Sequence, residues 1–170
     1  MFKAILFIIL TLTSSYFTHS LALIETNSKK EVSEVNYIEK EIMTISIPKL
    51  NISNKIYKVE SNLNNIDKNV IILKGSNMPD KENGVLLIGA HSGIGKYAYF
   101  KNLDKIQLND EIIINYNNKN YLYKVVNKYL DKKDGSINFN NSPTSKRLIL
   151  YTCNPNDKDN FLVVICDIDR

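Results

Sequence analysis

The sequence predicts a mainly β domain, a barrel or a sandwich, built from about eight short strands at frequent intervals. Three observations carry that prediction. Apolar residues recur in short runs of strand length, bounded by turn residues. The connections are rich in Asn, Gly and Pro, which favour tight turns. Only two brief stretches read as helical: Ser61–Asp67, which opens on a capping serine, and Tyr97–Leu103, where Tyr99, Phe100 and Leu103 fall on one side.

Ile42–Ile47 alternates as a strand does, and Pro48 ends it or marks an edge. Lys55–Val59 and Val70–Leu73 are further short strands, and Lys74–Asn83 is a polar loop carrying Gly75 and Pro79. Gly84–Ala90 is a continuous apolar run, as expected of a strand buried on both faces, and it ends in His91-Ser92-Gly93-Ile94-Gly95. Glu111–Tyr116 and Asn120–Leu130 are two strands joined through Asn117-Asn118-Lys119, because Asn tolerates the left-handed backbone of a hairpin turn. Asp131–Ser145 is a long polar connection. Arg147–Cys153 is an apolar strand that stops at Asn154-Pro155. Asn154–Asp159 is a tight loop, and Asn160–Ile168 is the last strand.

Ahead of the domain, Met1–Ile24 holds one charge, Lys3. The apolar run Ala4–Leu12, with small residues near Ser20–Ala22, fits a cleaved secretory signal. The uncharged span Ala4–Ile24 is also about long enough to cross a bilayer. Either reading exports the chain, extracytoplasmic and membrane-anchored, or secreted if the leader is cleaved, with Lys3 on the inside. Glu25–Glu41 reads as a polar stalk, and residues 42–170 form one domain.

The chain has 170 residues, 22 Lys+Arg against 18 Asp+Glu, and a net charge of +4. The charges are interspersed, with no basic stripe, which argues against nucleic acid. There are 2 cysteines, Cys153 and Cys166, too few for a disulfide framework. If the last two strands form a hairpin with Cys153 near Asn160 and Arg147 near Cys166, the sulfurs lie roughly 20 Å apart. Two free thiols are expected, since a disulfide needs Cα atoms within about 7 Å.

Cys153 stands at the carboxyl end of a strand, where rigid scaffold gives way to loop. Taken alone it reads more readily as a core residue, since free cysteine is among the most buried types. His91, the only histidine of the domain, has the same relation to its own strand. An imidazolium beside a thiol favours the nucleophilic thiolate, and the same ring can then protonate a leaving amine. A lone Cys and a lone His at strand ends are what thiol acyl transfer requires. No zinc set is expected, because four ligands cannot be assembled from two distant thiols and one imidazole.

The chain resembles the sortases, membrane-associated cysteine transpeptidases of bacterial surfaces. Ile47-Pro48-Lys49-Leu50-Asn51-Ile52 is similar to the family's opening strand, and Gly84–His91 to the strand leading to its catalytic histidine. Phe100-Lys101-Asn102-Leu103 with Leu108-Asn109-Asp110 resembles the helix and turn that follow. Leu150-Tyr151-Thr152-Cys153-Asn154-Pro155 resembles the catalytic cysteine motif. The likeness runs from about Ile42 to Ile168 and implies a closed eight-stranded sortase-type β-barrel.

It also implies a reaction. Cys153 would attack a Thr–Gly-like bond in the C-terminal sorting signal of an exported protein, and His91 would protonate the departing amine. An amine acceptor, a peptidoglycan precursor or a pilin lysine, would resolve the thioester. Thr152 and Ala90 would contact substrate, the N-terminal segment would meet the membrane, and no cofactor is implied. The family carries an arginine at the start of the strand after the cysteine loop, where it steadies charge on the attacked carbonyl. Here Asn160 takes that place, as a neutral amide donor. Lys158 is the nearby cation, and Arg147 is too far along its strand. The alternatives are a catalytically impaired sortase-like binding or assembly module, and an exported β-domain in which Cys153 and His91 are core.

Overall fold

The computed structural model describes residues 39–134, 145–157 and 159–169. The expected leader, most of the stalk, the middle of the connection before Arg147, and Lys158 lie outside the described residues. The unit that follows Ile38, Glu39–Arg170, holds every described element.

Eight strands make one sheet: β1 (Met43–Ile47), β2 (Ile52–Ile56), β3 (Ile71–Ile72), β4 (Val85–Gly89), β5 (Glu111–Tyr116), β6 (Lys119–Lys132), β7 (Arg147–Cys153) and β8 (Asn160–Ile168). Their spatial order is β2-β1-β5-β6-β8-β7-β4-β3. The sheet curls into a nearly closed barrel with β2 and β3 at its edges. All neighbours are antiparallel except β4 and β7, which run parallel from Val85↔Arg147 to Gly89↔Tyr151.

Turn chemistry sets the hairpins. Tyr116 and Lys119 are joined by Asn117 and Asn118 at φ 51° and 60°, the left-handed pair that a two-residue turn matched to strand twist requires. The first hairpin is tighter than expected. Pro48–Leu50 makes one 3-10 turn, Asn51 turns left-handed at φ 52°, and β2 begins at Ile52 rather than near Lys55. The expected helices are absent. Ser61–Asp67 is a string of turns in which Leu63 N–H donates to Ser61 Oγ (2.9 Å) and Asp67 N–H to Asn65 Oδ1 (2.9 Å). Ser and Asn side chains here satisfy the backbone that a helix would otherwise satisfy. In the second stretch only Leu103–Lys105 forms a 3-10 turn.

Side-chain alternation gives the sheet two apolar faces. Leu86, Ile88, Leu148, Leu150, Val164 and Cys166 join β1, β5 and Phe100 in the barrel core. Ile149, Val163 and Ile165 form a smaller cluster with Val85, Leu87, Tyr129 and Phe161 packed against it. These residues alternate with the core residues along the same strands, so the cluster lies on the opposite face. This second face explains why β4, β7 and β8 read as continuous apolar runs.

Gly89 is fixed by a close approach on that face. A Cβ added there would stand 2.2 Å from Tyr151 Cε1. The Tyr151 ring is held in turn by Phe161, edge to face at 5.9 Å between centroids. Gly89→Ala should therefore lower stability by about 1–3 kcal/mol, the usual range for overpacking. In urea denaturation, the loss in Gly89→Ala/Tyr151→Ala should be smaller than the sum of the two single losses. Strict additivity would mean that the ring is not the obstacle.

Candidate active site

The parallel pair β4–β7 carries both candidate catalytic residues. Its last register pair is Gly89↔Tyr151. Two residues further along each chain stand His91 and Cys153. They therefore leave the barrel at the same rim, from neighbouring strands whose spacing is about 4.8 Å. Two bonds carry the pairing past the strand end. Ala90 N–H donates to Tyr151 O (3.4 Å), and Thr152 Oγ1 donates to Ala90 O (2.6 Å). Ala90 and Thr152 are each 2% exposed. The structure thus brings together the residues expected to contact substrate, as a buried clasp between the two strand tips.

His91 is pinned at both ends. Its carbonyl accepts from Phe100 N–H (2.9 Å), and its Nε2 meets Asp67 Oδ1 at 3.1 Å. The imidazole side chain is 42% exposed. Cys153 is partly exposed, whereas Cys166 is 0% exposed, and both are free thiols. Burial pushes the Cys166 thiol well above its ordinary range, which keeps it protonated and inert. Burial also raises the Tyr151 phenol, and after burial the charge of a Cys153 thiolate raises it further.

Asn160 is placed differently from the expected pairing. Across β7–β8 the partner of Cys153 is Phe161, and Arg147 faces Asp167. A shift of one residue moves a side chain to the other face. Asn160 therefore alternates away from Cys153, and its Nδ2 donates to Asp157 Oδ2. The loop is built around that carboxylate and Asn154. Asp159 N–H donates to Asp157 Oδ1 (2.9 Å), Asn156 N–H to Asn154 Oδ1 (3.1 Å) and Asn154 N–H to Asn160 O (3.0 Å). The Asp159 amide first, then the Asn160 amide, hold Asp157 below the usual carboxylate range.

Arg147 forms a fork with Asp167 at 2.7 and 3.0 Å, at the far end of β7 from Cys153. A cation does reach the cysteine's end of the sheet. Lys133 Nζ lies 5.2 Å from the centroid of Phe161, the residue paired with Cys153. Asp67, Phe161 and Lys133 were not foreseen as site residues. Phe161 and Lys133 follow only from the true register. Asp67 lies in a run of Asn, Asp and Lys in which nothing marks one carboxylate out.

A family model described as the sortase domain matches residues 45–168. Among solved structures, sortase A from Corynebacterium diphtheriae, a lid mutant, is 22% identical with a TM-score of 0.67, covering 82% of this chain and 75% of that one. Sortase C1 from Streptococcus agalactiae is 23% identical at a TM-score of 0.68, covering 80% and 70%. A pilus-related sortase C of Group B Streptococcus is 25% identical at 0.67, covering 78% and 69%. No curated protein matches the chain in sequence. The structural likenesses agree with the eight-stranded barrel, and the family match spans it from β1 to the end of β8. The chain therefore belongs to the sortase family, whose members are generally cysteine transpeptidases.

Proposed function

We propose that this chain is a working transpeptidase with Cys153 as nucleophile and His91 as its acid–base partner. The observation that carries the reading is the parallel register of β4 and β7, which supports a shared rim for sulfur and imidazole. Cys153 thiolate attacks the carbonyl carbon of a Thr–Gly-like bond in the sorting signal of an exported protein. The C–N bond breaks, a thioester forms, and His91 gives its proton to the departing amine. An acceptor amine, from a peptidoglycan precursor or a pilin lysine, then attacks the thioester and releases Cys153. The likeness to a pilus-related sortase C supports the pilin as one candidate acceptor. The protein works on the outer side of the membrane, held by its N-terminal segment or released after cleavage.

Negative charge on the attacked carbonyl needs an oriented donor or a cation. Asn160 spends its amide on Asp157, so in this reading it holds the loop that follows the nucleophile. Lys133 supplies the positive charge from across Phe161. Thr152 and Ala90 act by fixing the two strand tips, which bears on substrate only through position. The commitment of the Asn160 amide also favours the second reading, an impaired sortase-like module that binds or assembles surface proteins without turnover.

Four experiments test these statements. Iodoacetamide should label Cys153 in the native protein and leave Cys166 unlabelled until denaturant is added; equal labelling would remove the distinction on which the nucleophile rests. Cys153→Ala and His91→Ala should each abolish cleavage of a sorting-motif peptide, and hydroxylamine should release the acyl group trapped on the wild-type enzyme. Full cleavage by Cys153→Ala would end the proposal, and native labelling with no trapped thioester would favour the impaired module. Lys133→Met should slow cleavage about 10²-fold, by analogy with loss of one oxyanion donor. Asn160→Arg should leave the rate within about twofold if Lys133 carries the charge, and a large gain would show that position 160 reaches the carbonyl after all.

A further inference from the structure

We infer that Asp67 is a positioning residue for His91, holding Nε2 and leaving Nδ1 as the nitrogen that works at the thiol and the leaving amine. This rests on the transpeptidase reading for the meaning of "works", but the placement of the hydrogen stands on geometry. Asp67 Oδ1 lies 3.1 Å from His91 Nε2. A carboxylate only accepts, so the hydrogen of that bond sits on Nε2. A neutral imidazole carries one hydrogen, and Nδ1 is then the free acceptor.

The carboxylate is not on a loose surface loop. β3 pairs with β4 through Ile71↔Gly89, so the chain just before β3 runs beside the chain just after β4. Asp67 N–H is tied to Asn65 Oδ1 (2.9 Å), and Asn69 N–H to Asn65 O (2.8 Å). Asn64 fastens the same segment to β3, donating to Ile72 O (3.0 Å) and accepting from Ile72 N–H (2.9 Å). Successive residues then clamp this segment and the histidine together. Tyr99 Oη donates to Lys68 O (3.1 Å), and Phe100 N–H donates to His91 O (2.9 Å). One side-chain anchor from Tyr99 and one backbone anchor from Phe100 therefore hold the Asp67 segment and His91 at a set distance. A general base oriented by a third group is the arrangement that thiol and hydroxyl nucleophiles share.

The chain has 2 histidines, so the imidazole ¹⁵N signals can be assigned with a His19→Gln variant of the full-length protein. With the imidazole neutral, the wild type should show one tautomer, hydrogen on Nε2, and Asp67→Ala should show a mixture of both. With a sorting-motif peptide, Asp67→Ala should lower kcat about three- to tenfold, the range of one ordinary hydrogen bond, with KM nearly unchanged. Asp67→Asn, whose side-chain oxygen can still accept from Nε2, should recover most of the loss. Identical tautomers in wild type and Asp67→Ala, or hydrogen on Nδ1 in the wild type, would overturn the inference. So would an Asp67→Ala enzyme with unaltered kcat. If the wild type cleaves no peptide, the transpeptidase reading fails, and the spectra still decide the placement of the hydrogen.

Discussion

The parallel pairing of β4 with β7 is the constraint on which the rest of this molecule depends. Every other pair in the sheet is antiparallel, and antiparallel neighbours send their carboxyl ends to opposite rims. Had β4 and β7 been antiparallel, His91 and Cys153 would be separated by the length of a strand, roughly 15–20 Å. Parallel strands cannot be joined by a tight turn and need a long crossover. Here the crossover is most of the barrel, since β5 and β6 lie between them in the chain and elsewhere in the sheet. The same connection that closes the barrel therefore brings His91 and Cys153 to one rim. Gly89 and the Thr152–Ala90 clasp maintain it, one by letting the Tyr151 ring lie over the strand, the other by tying the tips where ladder bonds end.

Alternation along two strands divides the thiols by chemistry. Cys153 and Cys166 sit on paired strands, on opposite faces: Cys153 across from Phe161, and Cys166 across from Leu148 in the core. Burial first, and then the charge of Asp167, disfavours a charged sulfur at Cys166. Cys153 keeps access to solvent at the rim and stands beside a strand that delivers an imidazole. Same residue type, same hairpin, and the difference in exposure follows from which face and which end each one occupies.

Much of the scaffold was legible because local patterns and long-range pairing agree. Glu111–Tyr116, Arg147–Cys153 and Asn160–Ile168 are strands with the bounds expected from their apolar runs and flanking turns. Where side chains rather than periodicity decide, the reading failed. Ser61–Asp67 looks helical from its capping serine, yet Ser61, Asn64, Asn65 and Asn69 use their side chains to fold turns. The β7–β8 register was read one residue short, with Asn160 rather than Phe161 across from Cys153. The loop's own bonds, Asn154 N–H to Asn160 O and the Asp157 turn, set that register, and no propensity scale reports them. A single slip is enough to change which residue faces Cys153, because the side-chain period of a strand is two. The strands that carry His91 and Cys153 could thus be read, while the groups around them could not.

The contact between His91 and Asp67 has little to do with stability. Asp67 is 79% exposed and His91 42%, and a surface pair of this kind contributes about 0–1 kcal/mol or nothing at all. A bond of so little energetic weight would be expected to wander among partners. It is instead bracketed by anchors that cost the chain several ordered turns, from the Asn64 bonds to β3 to the Tyr99 and Phe100 bonds that bridge the two loops. Ordering residues has an entropic cost of about 1–2 kcal/mol each. That order also seats Val70, Ile72 and Phe100 in the core, so the bonds that serve the fold are the same ones that set which nitrogen the ring presents to the strand beside it.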